Sequence, residues 1–274
     1  MLSKKLVGFL NGKSRWVRKE TLDIHRITKE PRLASSLSCV EIFVVLYYGK
    51  IIKFNSSDVK WEKRDRFVIS KGHGSISLYP ILADLGYFDK KELTKVCKEG
   101  SLLGAMPDPN IPGFETINGS LGHGLGVACG MAMALRRKKR NEKVFVLLGD
   151  GELYEGSVWE AIMFAGEHKL DNLIVIIDNN KACMLDYCKN ILELEPLDKK
   201  FKVFRWETKT VDGHDVTQLH NALKQFKEQK NCKPKVLIAN TVKGKGVTRL
   251  ETDSLSHIRI LTSEEIDKTI EELK

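Results

Sequence analysis

Apolar residues along this chain gather into short unbroken runs separated by amphipathic stretches. Val144 to Leu148 and Leu173 to Ile177 carry no polar interruption, the signature of strands buried on both faces of a parallel sheet. Arg66 to Ile69 and Lys235 to Ala239 read as two further strands. Between them the apolar positions fall at helical spacing. Arg18 to Lys29 reads as a polar helix and Leu37 to Tyr48 as a strongly apolar one, with Pro31 separating them. A helix is predicted from about Ser75 to Leu85, and another opening at Gly119 to Gly124, with Ala128, Met131, Ala132 and Leu135 on its core stripe. The many small residues of the latter, Gly126, Gly130 and Ala134 among them, imply close packing on both of its sides. Ser157 with Glu160 has the capping-box pattern ahead of a stripe of Val158, Ala161, Ile162 and Ala165, and Asp215 with Gln218 stands in the same relation ahead of Leu219, Ala222, Leu223 and Phe226. Strand and helix alternate with no repeat and no low-complexity linker. This predicts an α/β fold, a doubly wound, mostly parallel sheet flanked by helices, in a single domain over residues 1–274.

At 274 residues and 42% hydrophobic content the chain can bury a full core. Its six cysteines form no C-x-x-C pair and none has a histidine at zinc-ligand spacing, so buried, reduced thiols are expected. Leu6 to Leu10 is too short for a signal-peptide core and no run approaches a membrane span, which predicts a cytoplasmic protein with no membrane partner. A formal charge of +9 raises nucleic acid as a ligand. The densest basic run, Arg136 to Arg140, lies between a helix and a strand, where cations complement the helix dipole without any ligand. No nucleic-acid-binding motif accompanies it, so no such partner is expected. The excess of Lys and Arg suits anionic substrates such as sugar phosphates.

The candidate chemistry sits where strands end. Gly149-Asp150-Gly151 follows one apolar run and Asn180 the next, and ligands of parallel sheets sit outside the carboxyl ends of the strands. A carboxylate and an amide oxygen suit magnesium, with calcium as the alternative, and magnesium usually completes its shell with water and phosphate oxygens. Glycines flanking Asp150 allow backbone N–H groups to approach a diphosphate. Taken alone, Gly-Asp-Gly also reads as a plain turn after a strand. A second strand-to-helix junction, Ser70-Lys71-Gly72-His73-Gly74, offers another ligand-facing turn, and the proline-rich stretch Gly104 to Gly119 reads as an ordered loop.

In chain order, Arg64-Asp65-Arg66-Phe67 running into Ser70-Lys71-Gly72-His73, then Gly119 to Gly124, Gly149-Asp150-Gly151-Glu152 with Glu155-Gly156, Asn180, Leu194 to Leu197, Val211 to Asp215 and Thr241 to Gly246 resemble the N-terminal half of transketolase. The similarity covers Leu37 to His257. The resemblance implies thiamine diphosphate as cofactor and transfer of a two-carbon ketol unit from a ketose to an aldose. It also implies roles by position. Asp150, Asn180 and the backbone carbonyl of Ala182 would hold the metal, and Gly151, Glu152 and Asn180 would meet the cofactor. His73 and His257 match histidines near the diphosphate and the thiazolium carbon, and Gly119 and Leu121 match positions against the aminopyrimidine. Glu155 and Glu160 match glutamates at the subunit interface that link two active sites, with Glu155 counted among the catalytic groups. Each has a plainer alternative: His73 as a helix-start residue, Leu121 as core, Glu160 as the partner of Ser157.

Full-length transketolases run well beyond the length of this chain, and the remainder carries the glutamate that activates the cofactor. A separate C-terminal transketolase-like subunit bearing the pyrimidine-binding domain is therefore expected, in an α2β2 assembly. The family's Gly-His-x-Gly-Gly-Ser-Leu-Ser is here Pro31 to Ser38, placing Arg32 at the histidine, and Met106 stands where another histidine contacts the donor. A fixed cation at the first position and an apolar thioether at the second together suggest a donor with a carboxylate and a methyl, such as pyruvate, as the alternative. A non-catalytic scaffold chain is the third reading; retention of Asp150, Asn180 and His73 weighs against it.

Overall fold

The computed structural model describes residues 2–273. Five parallel strands, β1 (Arg66–Ile69), β2 (Val144–Gly149), β3 (Leu173–Asn179), β4 (Glu207–Asp212) and β5 (Lys235–Asn240), form one sheet in the order β1-β2-β3-β5-β4. Helices in chain order are α1 (Lys4–Thr28), α2 (Leu33–Leu37), α3 (Val40–Tyr47), α4 (Tyr79–Asp84), α5 (Gly124–Arg137), α6 (Gly156–Glu167), α7 (Cys188–Ile191), α8 (Leu197–Val203), α9 (Val216–Glu228), α10 (Thr248–Thr252) and α11 (Ser263–Glu272). Strand alternation sends Phe145, Leu147, Ile174 and Ile176 into a core shared with α1, α3 and α9. It sends Val144, Val146, Leu173 and Val175 into a second core shared with α5, α6 and α8. Both faces are thus covered, which is why the central strands are apolar throughout. Among the described residues, no helix is long and apolar enough to cross a membrane.

Register decides where the chemistry falls. Gly149 pairs with Asp178 and Asn179 with Asn240, so Asp150, Asn180 and Thr241 leave the sheet side by side at the carboxyl ends of its central strands.

The expected α/β class and the four strands stand, and several local expectations do not. β4 is an edge strand whose polar sequence carries little apolar signal. α1 begins at Lys4, capped by Ser3, well before Arg18. The helix expected over 37–48 is two helices broken at Ser38 and Cys39, because the Ser38 hydroxyl turns inward to donate to Asp178 (2.6 Å). The stretch expected to start at Ser75 opens as a 3₁₀ turn over Gly72–Leu78. The Ser157 capping box is absent: α6 starts at Gly156 and Ser157 Oγ donates to the Gly122 carbonyl (3.0 Å). Gly126, Gly130 and Ala134 are exposed, so α5 is packed on one side only. Only Cys39 and Cys129 are buried thiols; all six cysteines are free. The basic run closes α5, with Arg136 donating to the His168 and Lys169 carbonyls at the end of α6.

Candidate active site

The floor of the site is an ionic hub that the sequence reading missed. Asp178, the penultimate residue of β3, is fully buried and accepts from Ser38 Oγ, Lys71 Nζ, Thr241 Oγ1 and Asn180 Nδ2. Four segments that leave different strands and helices therefore converge on one carboxylate. Burial opposes its charge, but Lys71 beside it outweighs this and holds the carboxyl below its usual range, while Asp178 raises Lys71 in turn. Lys71 Nζ also donates to the Ser35 carbonyl (3.1 Å). A carboxylate closing an otherwise apolar strand was the available signal, since a charge at such a place must be paired.

Above the hub lies the expected pair. Asp150 is 6% exposed and accepts from the Gly151 (2.8 Å) and Lys181 backbone N–H groups. Burial, and then the charge of Asp178, push its carboxyl up to about 7. Donation from Asn180 Nδ2 to Asp178 fixes that amide, leaving its Oδ1 to accept from Ala182 N–H (3.1 Å). Lys243, also missed, donates from Nζ to the carbonyls of Ala182 (3.2 Å) and Cys183 (2.7 Å). Burial, and then Lys71, bring its ammonium down to about 8.

These groups line a cavity of about 400 Å³ that gathers nearly every residue singled out from the sequence. Gly119, Leu121, Gly151 and Glu152 line it together with Asp150, Asn180 and Ala182. His73 and His257 face each other edge-on, ring centres 5.4 Å apart, and Ser35 Oγ lies 3.3 Å from His257 Nδ1. Burial and nearby lysines hold both imidazoles neutral, His73 well below its usual value and His257 down to about 4. Arg32 and Met106 also line the cavity and touch each other: Arg32 is paired through Nε with Glu30, and its NH1 lies 4.0 Å from the Met106 sulfur.

Three of the expected glutamates differ in setting. Glu152 lines the cavity and its carboxylate accepts from Ser70 Oγ and from the Gly122 (2.9 Å) and Gly149 (3.3 Å) N–H groups, so it braces three loops. Glu155 and Glu160 lie outside the cavity, exposed at the start of α6. Gly72 is required by close approach, since a Cβ there would sit 2.3 Å from the Asn118 carbonyl oxygen. Around the mouth, Ile117, Met184, Leu185 and Ile258 are more than half exposed.

Among the described residues no three His, Cys, Asp or Glu side chains converge on a metal site. Asp150 is a buried carboxylate with no cationic side chain bonded to it, and Lys243 is a buried ammonium bonded only to carbonyls. Such a set fits a metal bound to an anionic ligand better than either alone, since magnesium takes few protein oxygens and keeps positions for phosphate. A parallel α/β sheet with these groups at the carboxyl ends of its central strands has the arrangement that suits a phosphorylated ligand.

The chain belongs to the transketolase family: residues 17–274 match the family model for the transketolase thiamine diphosphate binding domain. It is 36% identical over 259 residues to the 6-deoxy-6-sulfo-D-fructose transketolase subunit SqwG of Clostridium sp. (strain MSTE9), covering 94% of each chain. It is 39% identical over 241 residues to an apulose-4-phosphate transketolase subunit of Actinobacillus succinogenes, covering 88% of this chain and 86% of that one. Human transketolase is 38% identical over 240 residues, 87% of this chain but 38% of its own length. The crystal structure of Campylobacter jejuni transketolase superposes with a TM-score of 0.88 at 30% identity, covering 99% of this chain and 43% of that one. The chain therefore has the extent of the separate subunits and less than half that of the long transketolases. It is a transketolase-type transferase chain with a thiamine diphosphate-binding fold.

Proposed function

We propose that the chain is the cofactor-anchoring half of a two-subunit transketolase-type enzyme, a single-domain cytoplasmic protein that transfers a two-carbon ketol unit. Asp150, Asn180 and the Ala182 carbonyl hold magnesium, or calcium in its place, and Gly151 N–H and Lys243 meet the diphosphate. The observation that carries this reading is the presence in one cavity of the Asp150 carboxyl and the Lys243 amine, buried and not bonded to each other. A metal diphosphate supplies the missing counter-charge to each.

Thiamine diphosphate, when bound, supplies the carbon nucleophile that the side chains lack. The chain's own residues orient and handle protons. His73 and His257, neutral at physiological pH, can each donate from one ring nitrogen and accept at the other. Ser35 restrains the His257 ring. Leu121 offers an apolar surface to a flat ring. Glu155 and Glu160 act at the assembly interface, in keeping with their exposure on α6.

A partner chain with the pyrimidine-binding domain completes an α2β2 enzyme over the apolar rim, in keeping with the names of the shorter relatives, which are themselves subunits. Those names specify a sulfonated and a phosphorylated sugar, and a cavity lined by Arg32, Lys71 and Lys243 suits an anionic ketose donor. The Arg32 contact with Met106 favours a second reading of the donor, a 2-oxo acid such as pyruvate, with carboxylate toward the guanidinium and methyl toward the thioether. Titration calorimetry with thiamine diphosphate and magnesium, with and without the partner, tests the anchor; weak binding alone and tight binding in the pair are expected. Assay of the reconstituted pair with a ketose phosphate and with pyruvate separates the donors. Full turnover by the isolated chain would overturn the division of labour.

A further inference from the structure

Lys243 reaches the cavity from Thr241–Gly246, a connection with no regular structure of its own, so its position must be fixed from outside. On one side of Lys243, the Val242 N–H donates to His214 Nε2 (2.8 Å). On the other, the Lys245 carbonyl accepts from Arg18 Nε (3.0 Å). His214 and Arg18 then meet at one carboxylate. Arg18 donates through both terminal nitrogens to the two oxygens of Glu41, the NH2 contact at 2.7 Å, and His214 Nδ1 lies 2.9 Å from Glu41 Oε2. Because His214 Nε2 accepts a backbone N–H, its proton sits on Nδ1 and is donated to Glu41. Arg18 and Glu41 side chains are each 7% exposed and His214 15%. The loop is shaped to follow these anchors: Gly244 and Gly246 take φ of +78° and +90°, and a Cβ on Gly246 would sit 3.0 Å from Arg18 Cδ. None of the three anchoring side chains lines the cavity.

We propose that Arg18, Glu41 and His214 form a positioning relay, rooted in α1, α3 and the turn after β4, that sets Lys243 at the diphosphate end of the cofactor. The relay rests on the cofactor reading above. It makes the grip on the diphosphate depend on the packing of α1 against α3, elements that never touch the ligand. His214→Ala removes the acceptor for Val242 N–H and one partner of Glu41, while His214→Asn keeps a short group able to accept one way and donate the other.

Two measurements on the full chain test this. The first needs no ligand: the rate at which acetic anhydride labels Lys243, read by mass spectrometry. His214→Ala should raise it severalfold over wild type, His214→Asn less so, and exposed Lys224 should label equally in all three proteins. Unchanged Lys243 labelling overturns the relay whatever the cofactor does. The second is a double-mutant cycle on binding of thiamine diphosphate with magnesium to the chain reconstituted with its partner, followed by calorimetry beside a thermal melt. Lys243→Ala should weaken binding on the order of tenfold or more and His214→Ala about tenfold. The double variant should be little worse than Lys243→Ala, because residues acting through one another are not additive. Additive losses, or binding indifferent to Lys243→Ala, overturn the relay, and a wild-type pair that binds nothing overturns it together with the cofactor reading.

Discussion

The floor and the mouth of the cavity are built on different principles. The floor is fixed by strand register and by a hub in which one carboxylate, Asp178, takes hydrogen bonds from the α2–α3 junction, the loop after β1, the end of β3 and the loop after β5. Asp178, Lys71, Ser38 and Thr241 are all buried and paired there. The mouth is made of loop side chains, Arg32, Met106 and the hairpin tip Met184 and Leu185, which are held by few bonds and leave apolar surface open. A buried ionic floor tolerates little change, because removing one member strands the others without solvent. An open mouth can change residue by residue. On the function proposed above, cofactor anchoring belongs to the first region and the choice of donor to the second.

The largest effect should come from the hub. Asp178→Ala leaves Lys71 buried and unpaired, a loss on the order of 3–5 kcal/mol, to be read as a fall in urea midpoint and in melting temperature. A variant as stable as wild type would mean that the floor is not held this way. Next comes acid. Burial opposes ionisation of Glu41, but Arg18 and His214 outweigh it and hold the carboxyl down to about 2. Its folded value lies below the unfolded one, so its contribution is present above about pH 4.5 and is lost as the pH falls toward 2. Glu41→Gln should be less stable at neutral pH and should flatten that part of the stability–pH profile; parallel profiles would count against the buried pair. Third, Asp150→Asn should cost cofactor and metal affinity on the order of a hundredfold with little loss of melting temperature, in contrast to Asp178→Ala. The smallest effect separates the mouth from the floor. Arg32→His in the reconstituted pair should change donor KM about tenfold and leave cofactor affinity unchanged, and a matching loss of affinity would erase the distinction.

The parts of the molecule legible in sequence were those that repeat a local rule. Unbroken apolar runs gave the central strands, and glycine junctions after them marked where ligands bind. Asp150, Asn180 and His73, which line one cavity, stand where motif and strand end coincide, whereas His257, which lines it too, follows no strand and came from the family resemblance alone. Lys71, Asp178 and Lys243 escaped because their meaning lies in one another: a lysine and an aspartate more than a hundred residues apart carry no local sign of pairing. β4 escaped because an edge strand needs no apolar run. The false capping box at Ser157 had the right letters, but a tertiary partner, the Gly122 carbonyl, took the hydroxyl. Arg32 and Met106 were noticed as departures from a motif, and their mutual contact could be seen only in three dimensions.

Because side chains alternate along a strand, β3 sorts its last residues by parity. Asp178 and Asn180 share the cavity side while Asn179, between them, donates to Glu195 and Asn240. The strand therefore works as a ruler whose unit is one residue. Point substitutions along its apolar length alter packing and leave the sorting intact. Deleting or adding a single residue would exchange the two sets, carrying the carboxylate away from Lys71. Gene variants in this segment should accordingly drift in letters and never in length, a constraint that a library of one-residue insertions across 173–180 would expose as a sharp block of inactive clones.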